Sequence, residues 1–191
     1  PIEVELDSGT DRLWSAHEKG LQKQRELLKR LDERDEDIGK LEIPETSLSD
    51  LKSKIAHRLL ESCRFCEQTC RVNRRNGETG FCGVGQEAKV ASKFIHRGEE
   101  PELVPSYTIF FSGCTFKCQY CQNWDISQNP ESGITMTPDE LCSSIERARE
   151  KGVRNVNWVG GDPTPNLHNI IASLNVCDKN IPSVWNSNMY L

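Results

Sequence analysis

The sequence predicts an α/β fold with parallel strands, preceded by a helical and cysteine-rich N-terminal region. From residue 105 onward, strand-like and helix-like patterns alternate, which is the order that gives parallel strands joined by helical crossovers. Before residue 62 the chain is highly charged and shows helical periodicity, and four cysteines lie between these two parts. We therefore divide the chain into a charged helical region (residues 1–61), a four-cysteine segment (62–104) and an α/β region (105–191).

The charged region contains fourteen acidic and eleven basic residues in its first sixty positions, and no cysteine. Apolar side chains at helical spacing predict one helix from about Thr10 to Asp37 and another from about Ser47 to Glu61. Helices of this composition usually pack one face on a neighbouring core, and a partner-binding or coiled-coil role is the alternative.

The α/β region should begin with a strand at residues 107–111. A helix should follow from Thr137, which can cap it, with Pro138 at its first position and Glu140 completing a capping box. Gly152 should end that helix. The remaining predicted elements are a strand at residues 153–159, a helix from about Asn166 to Asn175 and a strand from about Pro182 to Asn186.

Two loops at the carboxyl ends of the predicted strands carry the chemistry. Cys114, Cys118 and Cys121 can converge on one side of a short helical or looped turn, where three thiolates could hold a metal cluster and leave one metal position open. Disulfides fit poorly because nine cysteines leave one over and no secretory signal is visible, whereas zinc stays open. The diglycine Gly160–Gly161 would let a ligand approach the backbone, or would simply form a tight turn.

A second set of four cysteines precedes the α/β region. Its members are Cys63, Cys66, Cys70 and Cys82. Four thiolates form a closed coordination set that suits structural zinc or an auxiliary iron-sulfur cluster. Four nearby arginines could offset the charge of such a centre or could simply be solvated: Arg64, Arg71, Arg74 and Arg75. The remaining cysteines, Cys142 and Cys177, are expected to pack as small apolar groups.

Composition limits the classes of function. A net charge of −5 without a concentrated basic stripe argues against a primary role in binding nucleic acid. No apolar run approaches the ~20 residues that a membrane-spanning helix needs. Cysteine clusters in a chain without a visible signal indicate a reducing cytoplasm.

The cysteine loop resembles the signature of a known family. Cys114, Cys118, Tyr120 and Cys121 form a C-x-x-x-C-x-aromatic-C motif after a strand, as in the radical S-adenosylmethionine enzymes. Residues 121–128 and 160–167 are similar to the signatures of the pyruvate formate-lyase activating enzyme-like branch of that superfamily. The resembling motifs extend over roughly Cys63 to Leu191.

The resemblance implies a fold and a set of cofactor contacts. The fold would be a partial (β/α)6 barrel, truncated in this chain after its third strand. The three cysteines of the motif would hold a 4Fe–4S cluster whose fourth iron binds S-adenosylmethionine. Backbone carbonyls of Gly160, Gly161 and Asp162 would contact the amino group of that cofactor, and Tyr120 would lie near its adenine. Asn186 and, with it, Asn188 are further candidates for cofactor or substrate contacts.

Two classes of function follow. The resemblance implies an enzyme that reductively cleaves S-adenosylmethionine to a 5'-deoxyadenosyl radical, which abstracts hydrogen from a protein or small-molecule substrate. Activation of a glycyl radical enzyme is one option, with an electron donor such as ferredoxin or flavodoxin. The alternative is a non-catalytic iron-sulfur or zinc module that transfers electrons or scaffolds a partner. Tyr120, Gly160 and Gly161 favour the enzyme, since an electron carrier needs no nucleoside site.

Overall fold

The structure is a computed structural model that describes residues 1–35, 41–42, 44–178 and 180–191. The chain forms two compact units, Pro1–Arg58 and Leu59–Leu191. None of the helices in the described ranges is long and apolar enough to cross a membrane.

The first unit contains two helices, as the periodicity predicts. Helix α1 spans Thr10–Arg34, and the predicted end at Asp37 lies outside the described residues. Helix α2 spans Leu48–Leu59 and is followed by a short 3-10 turn. Gly20 is buried in α1. A Cβ atom there would lie 2.8 Å from the side chains of Ile2 and Leu48, so the position has no room for a larger residue.

The second unit contains a mixed five-stranded sheet. Its strands are β1 (Ala88–His96), β2 (Ser106–Phe111), β3 (Ile134–Met136), β4 (Asn155–Gly160) and β5 (Ser183–Trp185). They lie in the order β3-β1-β2-β4-β5. The helices of this unit are α3 (Trp124–Ser127), α4 (Pro138–Glu150) and α5 (Leu167–Val176).

The parallel part of the sheet confirms the predicted alternation. Strand β4 runs parallel to β2 and to β5. Helix α4 begins with the predicted capping box of Thr137 and Glu140 and has Pro138 in its first turn. Strands β1 and β3 were not predicted, and both pair antiparallel, so the sheet is mixed rather than wholly parallel. Strand β1 lies in the region assigned to the cysteine segment, where the apolar residues of its sequence do not alternate regularly with polar ones and no strand was predicted.

The core lies on one face of the sheet, under α4 and α5. It includes Ile109 and Trp158 from the central strands, Leu141 and Ile145 from α4, and Ile170 from α5. Side chains alternate along a strand, so the next residues of β2 and β4 face the other way. That second face is polar yet buried, with Thr108 and Asn157 each 2% exposed. This packing fixes the carboxyl ends of β2 and β4 side by side, where Phe111 pairs with Gly160.

Candidate functional site

The three cysteines of the motif, the triad, lie in one irregular loop that leaves the carboxyl end of β2. All three are free thiols, with Cys114 buried and Cys118 and Cys121 half-buried. The Cys121 N–H donates a hydrogen bond of 3.2 Å to the Cys118 carbonyl, which forms a tight turn between them. The triad is therefore presented by a loop and not by a helix.

The triad thiols influence one another's ionisation. Burial raises the pKa of the Cys114 thiol to about 11, and negative charge on Asp162, Cys121 and Cys118 acts in the same direction. A hydrogen bond of 3.4 Å from the Phe116 N–H to Cys114 Sγ opposes that rise. Without a cation the Cys114 thiol therefore keeps its proton at neutral pH. A metal centre that binds these sulfurs would supply the positive charge that the thiolate form requires.

Side chains from two neighbouring segments hold the triad loop in place. Gln128, just after α3, donates through Nε2 to the Phe116 carbonyl at 3.0 Å. Asn188, after β5, donates through Nδ2 to Thr115 Oγ1 at 2.8 Å. Asn188 was a candidate for a cofactor or substrate contact, and its amide instead bonds the loop itself. The position of the triad therefore depends on the segment that follows β5.

The Gly160–Gly161 turn packs against the start of the triad loop. Gly160 has a φ of 128°, so the positive φ expected of this diglycine is present. A Cβ atom on Gly160 would overlap the Phe111 carbonyl, and one on Gly161 would overlap the Gly113 carbonyl and lie 2.8 Å from Cys114 Cβ. Because neither glycine has a side chain, the turn after β4 can approach the start of the triad loop closely. The sequence did not reveal this contact.

Asp162 is 1% exposed, and its carboxylate is fully engaged within the protein. Oδ1 accepts a hydrogen bond from the Thr164 N–H at 2.9 Å. Oδ2 accepts from the Ser187 hydroxyl at 2.8 Å and from the Asn188 N–H at 3.0 Å. The carboxylate therefore joins the loop after β4 to the segment after β5, while its own N–H donates to the Gly113 carbonyl at 3.1 Å.

Tyr120 and Asn186 are both exposed. Tyr120 lies inside the triad loop with 89% of its surface accessible, so it has no role in the core. The Asn186 N–H donates to the Trp158 carbonyl at 3.0 Å, which continues the pairing of β5 with β4. Contact of either side chain with a nucleoside remains a prediction.

The four upstream cysteines, the quartet, are also free thiols in one compact segment. Reciprocal backbone hydrogen bonds of 2.9 Å join Cys63 to residues 71–72. Burial raises the pKa of the Cys66 thiol, and the other three quartet sulfurs add to that rise. Gly80 leaves room for Cys70, since a Cβ atom on this glycine would lie 2.7 Å from Cys70 Sγ. The quartet sulfurs therefore lie close enough for the charge on one to affect the pKa of another.

One of the four arginines near the quartet is buried. Arg74 is 1% exposed and donates to the carbonyls of Gly85 and, at 2.8 Å, Pro165. Its Nη1 lies 3.9 Å from Cys63 Sγ, and its charge opposes the rise in the Cys82 pKa that burial causes. The exposed arginines are Arg64, Arg71 and Arg75. Only Arg74 thus has the placement of a charge partner for the quartet.

The triad and the quartet lie beside each other. Gln68, between two quartet cysteines, donates through Nε2 to the Thr115 carbonyl at 3.0 Å. A Cβ atom on Gly113 would lie 2.8 Å from the Cys82 carbonyl, so the backbones that carry the two sets are in contact. Among the described residues, no three of these seven sulfurs all lie within 4.8 Å of one another.

The thiol loop, the glycine turn and the parallel strands beneath them lie in the part of the chain that matches a family model. Residues 108–191 match the family model of the Radical SAM superfamily. The matched Radical SAM region contains the triad and the Gly160–Gly161 turn, while the quartet lies before it. The cofactors and the activity that this match suggests for the whole protein stay predictions. The finer resemblance to the pyruvate formate-lyase activating enzyme-like branch stays a prediction.

Two similar curated proteins come from Methanocaldococcus jannaschii. The uncharacterized protein MJ0674 is 46% identical over 198 residues, which cover 100% of this chain and 56% of that protein. The uncharacterized protein MJ0808 is 31% identical over 122 residues, which cover 53% of this chain and 35% of that protein. This chain therefore spans about half the length of the first relative and a third of the second. No solved structure matches the chain at a significant level.

Sequence reasoning missed several residues near the triad and the quartet. The burial of Arg74, the packing role of Gly80 and the bridging carboxylate of Asp162 depend on contacts between distant segments. Cys142 is buried, as expected of a small apolar group, and Cys177 is half-buried; the structure also places both sulfurs beside Glu146. The spacing of Cys142 and Glu146, one helical turn apart, was the available signal.

Proposed function

We propose that this chain forms the cofactor-binding part of a radical SAM enzyme. Cys114, Cys118 and Cys121 would hold a 4Fe–4S cluster with one iron open to S-adenosylmethionine. When bound, these cofactors supply one-electron cleavage of the sulfonium and hydrogen abstraction from a substrate. The observation that carries the proposal is the placement of three free thiols in one loop beside the Gly160–Gly161 turn, at the carboxyl ends of parallel strands.

The residues around the triad are suited to bind and tune such a cluster. Hydrogen bonds to the sulfur ligands of an iron-sulfur cluster raise the reduction potential of the cluster. The Phe116 N–H lies 3.4 Å from Cys114 Sγ, and the Ser127 hydroxyl lies 3.4 Å from Cys121 Sγ. The buried environment of Cys114 limits access of water to that corner. These features support a cluster whose electronics the protein controls.

The contacts to S-adenosylmethionine are proposed for the backbone of the glycine turn and for Tyr120. The Asp162 side chain is excluded from direct contact in its present arrangement, because the residue is 1% exposed and its carboxylate accepts three hydrogen bonds from within the protein. We assign it a positioning role through Asn188, which supports the triad loop. The exposed ring of Tyr120 is free to stack on an adenine.

We assign the quartet to a second metal centre, with an auxiliary iron-sulfur cluster favoured over zinc. Four thiolates in one compact segment can hold either centre. The observation that favours a cluster is the contact between the quartet segment and the triad loop. The adjacent triad makes the quartet a candidate relay for an electron from a ferredoxin or flavodoxin. Activation of a glycyl radical enzyme in the cytoplasm is the substrate hypothesis that the branch resemblance supports.

The decisive experiment is detection of 5'-deoxyadenosine. The anaerobically reconstituted protein would be incubated with dithionite and S-adenosylmethionine, and the nucleoside would be measured by mass spectrometry. We expect its formation in the wild type and its loss in Cys118→Ala, together with the loss of about four irons, one cluster's content. Gln119→Ala, an exposed position of the same loop, is the matched control and should retain both.

The same experiment separates the enzyme from the alternative module. A protein loaded with iron that forms no 5'-deoxyadenosine would support a non-catalytic electron carrier. Equal iron content in Cys118→Ala and Gln119→Ala would refute the triad as cluster ligands. Metal analysis of a variant that lacks all three triad cysteines tests the quartet, which should still bind metal.

A further inference from the structure

A second type of thiol site lies between α4 and the end of α5, apart from the triad and the quartet. The Sγ atoms of Cys142 and Cys177 and a carboxylate oxygen of Glu146 all lie within 4.8 Å of one another. Within the described part of the chain, this is the only set of three or more such side chains with that spacing. Ligands that share one tetrahedral zinc ion lie about 3.8 Å apart, so the spacing suits a single ion.

Local structure places these three side chains together. Cys142 and Glu146 are one turn apart on α4 and therefore project from the same helix face. Cys177 directly follows α5, which ends at Val176. The Asp178 N–H donates to Glu146 Oε1 at 3.0 Å, which fixes the carboxylate beside Cys177. The group is thus arranged by two helices and not by a loop of its own.

The charges around the two thiols disfavour their ionisation unless a cation is present. Burial raises the pKa of the Cys142 thiol, and the carboxylates of Glu146 and Asp178 act in the same direction. For Cys177, burial is again the largest cause of a raised pKa, followed by the neighbouring Cys142 thiol and the two carboxylates. Apolar packing explains one buried thiol, but it does not explain two thiols gathered around a carboxylate.

We propose that Cys142, Glu146 and Cys177 bind one divalent thiophilic cation, of which zinc is the best fit, and that this ion clamps α4 to the end of α5. Two soft thiolates and one hard carboxylate match the borderline character of zinc. Binding releases the two thiol protons to solvent and leaves a complex with a net charge of about −1 by addition of formal charges. A water molecule would complete the tetrahedron and keep that charge.

The test uses the full chain after anaerobic loading with iron and sulfide and removal of free metal. Zinc is then added, and the rate at which N-ethylmaleimide modifies Cys177 is measured by peptide mass spectrometry, which reads this residue separately from the other eight cysteines. We expect zinc to slow the reaction at least about tenfold in the wild type. Glu146→Gln should raise the zinc concentration required by about ten- to a hundredfold.

Asp139→Asn is the matched control, because this exposed acidic residue lies on the same helix, and it should behave as the wild type. Cys177→Ser should bind one zinc ion fewer per chain with its iron content unchanged. The proposal is overturned if zinc leaves the Cys177 reaction unchanged, or if Glu146→Gln is protected as well as the wild type. A disulfide between Cys142 and Cys177 in anaerobically purified protein would also overturn it. The wild-type measurement does not depend on whether any variant folds.

Discussion

Replacement of the buried Arg74 by methionine should destabilise the protein more than the same replacement of its exposed neighbour Arg75. Arg74 donates to two backbone carbonyls, those of Gly85 and Pro165, and its guanidinium carbon lies 5.5 Å from the centre of the Phe65 ring. Methionine retains much of the apolar stem but leaves both carbonyls without this donor. Arg75→Met is the matched control, because Arg75 is exposed and forms a surface ion pair of 2.7 Å with Glu61.

The magnitude follows from those contacts. A hydrogen bond to a charged group contributes about 1.5–3 kcal/mol, so two carbonyls account for about 3–6 kcal/mol. Removal of the charge also removes a desolvation cost of several kcal/mol, which offsets part of the loss. We therefore expect Arg74→Met to lower the free energy of unfolding by about 2–4 kcal/mol. Arg75→Met should lower it by no more than about 1 kcal/mol, the upper value for an exposed pair.

Urea denaturation of the iron-free protein, followed by circular dichroism, measures both changes under identical conditions. Metal analysis of the same variants after reconstitution tests the electrostatic role, since Arg74 opposes the rise in the Cys82 pKa and should favour thiolate ligation. Arg74→Met should therefore lose metal from the quartet, while Arg75→Met should not. Equal stability and equal metal content of the two variants would show that the buried guanidinium has neither role.

Three further predictions concern other parts of the chain. Asp162→Asn should destabilise the protein by about 1–3 kcal/mol and weaken binding of S-adenosylmethionine, measured by calorimetry; unchanged affinity would remove its positioning role. Gly80→Ala should reduce the quartet metal content with the triad cluster intact, because its Cβ would lie 2.7 Å from Cys70 Sγ, and unchanged iron analysis would contradict this. Burial lowers the pKa of His17, so the folded form resists protonation and stability should fall as pH drops below about 6.5. The melting temperature of His17→Gln should fall less steeply with decreasing pH than that of the wild type. Equal pH dependence of the two proteins would show that this histidine is not the cause.

The sequence was most informative where a local rule determines structure. The helix start at Thr137 and Pro138 was predicted because capping depends on residues three positions apart. The parallel strands followed from the alternation of elements, and the triad from its spacing. Strand β1 was missed because its apolar residues do not alternate regularly and its register shifts between Val90 and Ser92. Strand β3 was missed because it has only three residues and pairs with β1, more than forty positions earlier in the chain.

The site was predictable only as a set of residue types. The motif indicates which side chains can bind a metal, but not which carbonyls, amides and carboxylates hold them. Asp162 illustrates this limit, because its three hydrogen bonds reach residues up to 26 positions away. Cys142 and Cys177 illustrate it further, since 35 positions separate two sulfurs that the packing of α4 and α5 brings together.

The hydrogen bond from Gln68 to the Thr115 carbonyl has a consequence for how these loops can vary. Its donor is the middle one of the three residues between Cys66 and Cys70, and its acceptor immediately follows Cys114. An insertion in either loop would displace one partner of this hydrogen bond, and the other loop would have to move to keep it. Changes of length in the two thiol loops should therefore arise as compensating pairs, and a chimera that exchanges only one loop with a relative should assemble both of the proposed metal centres poorly.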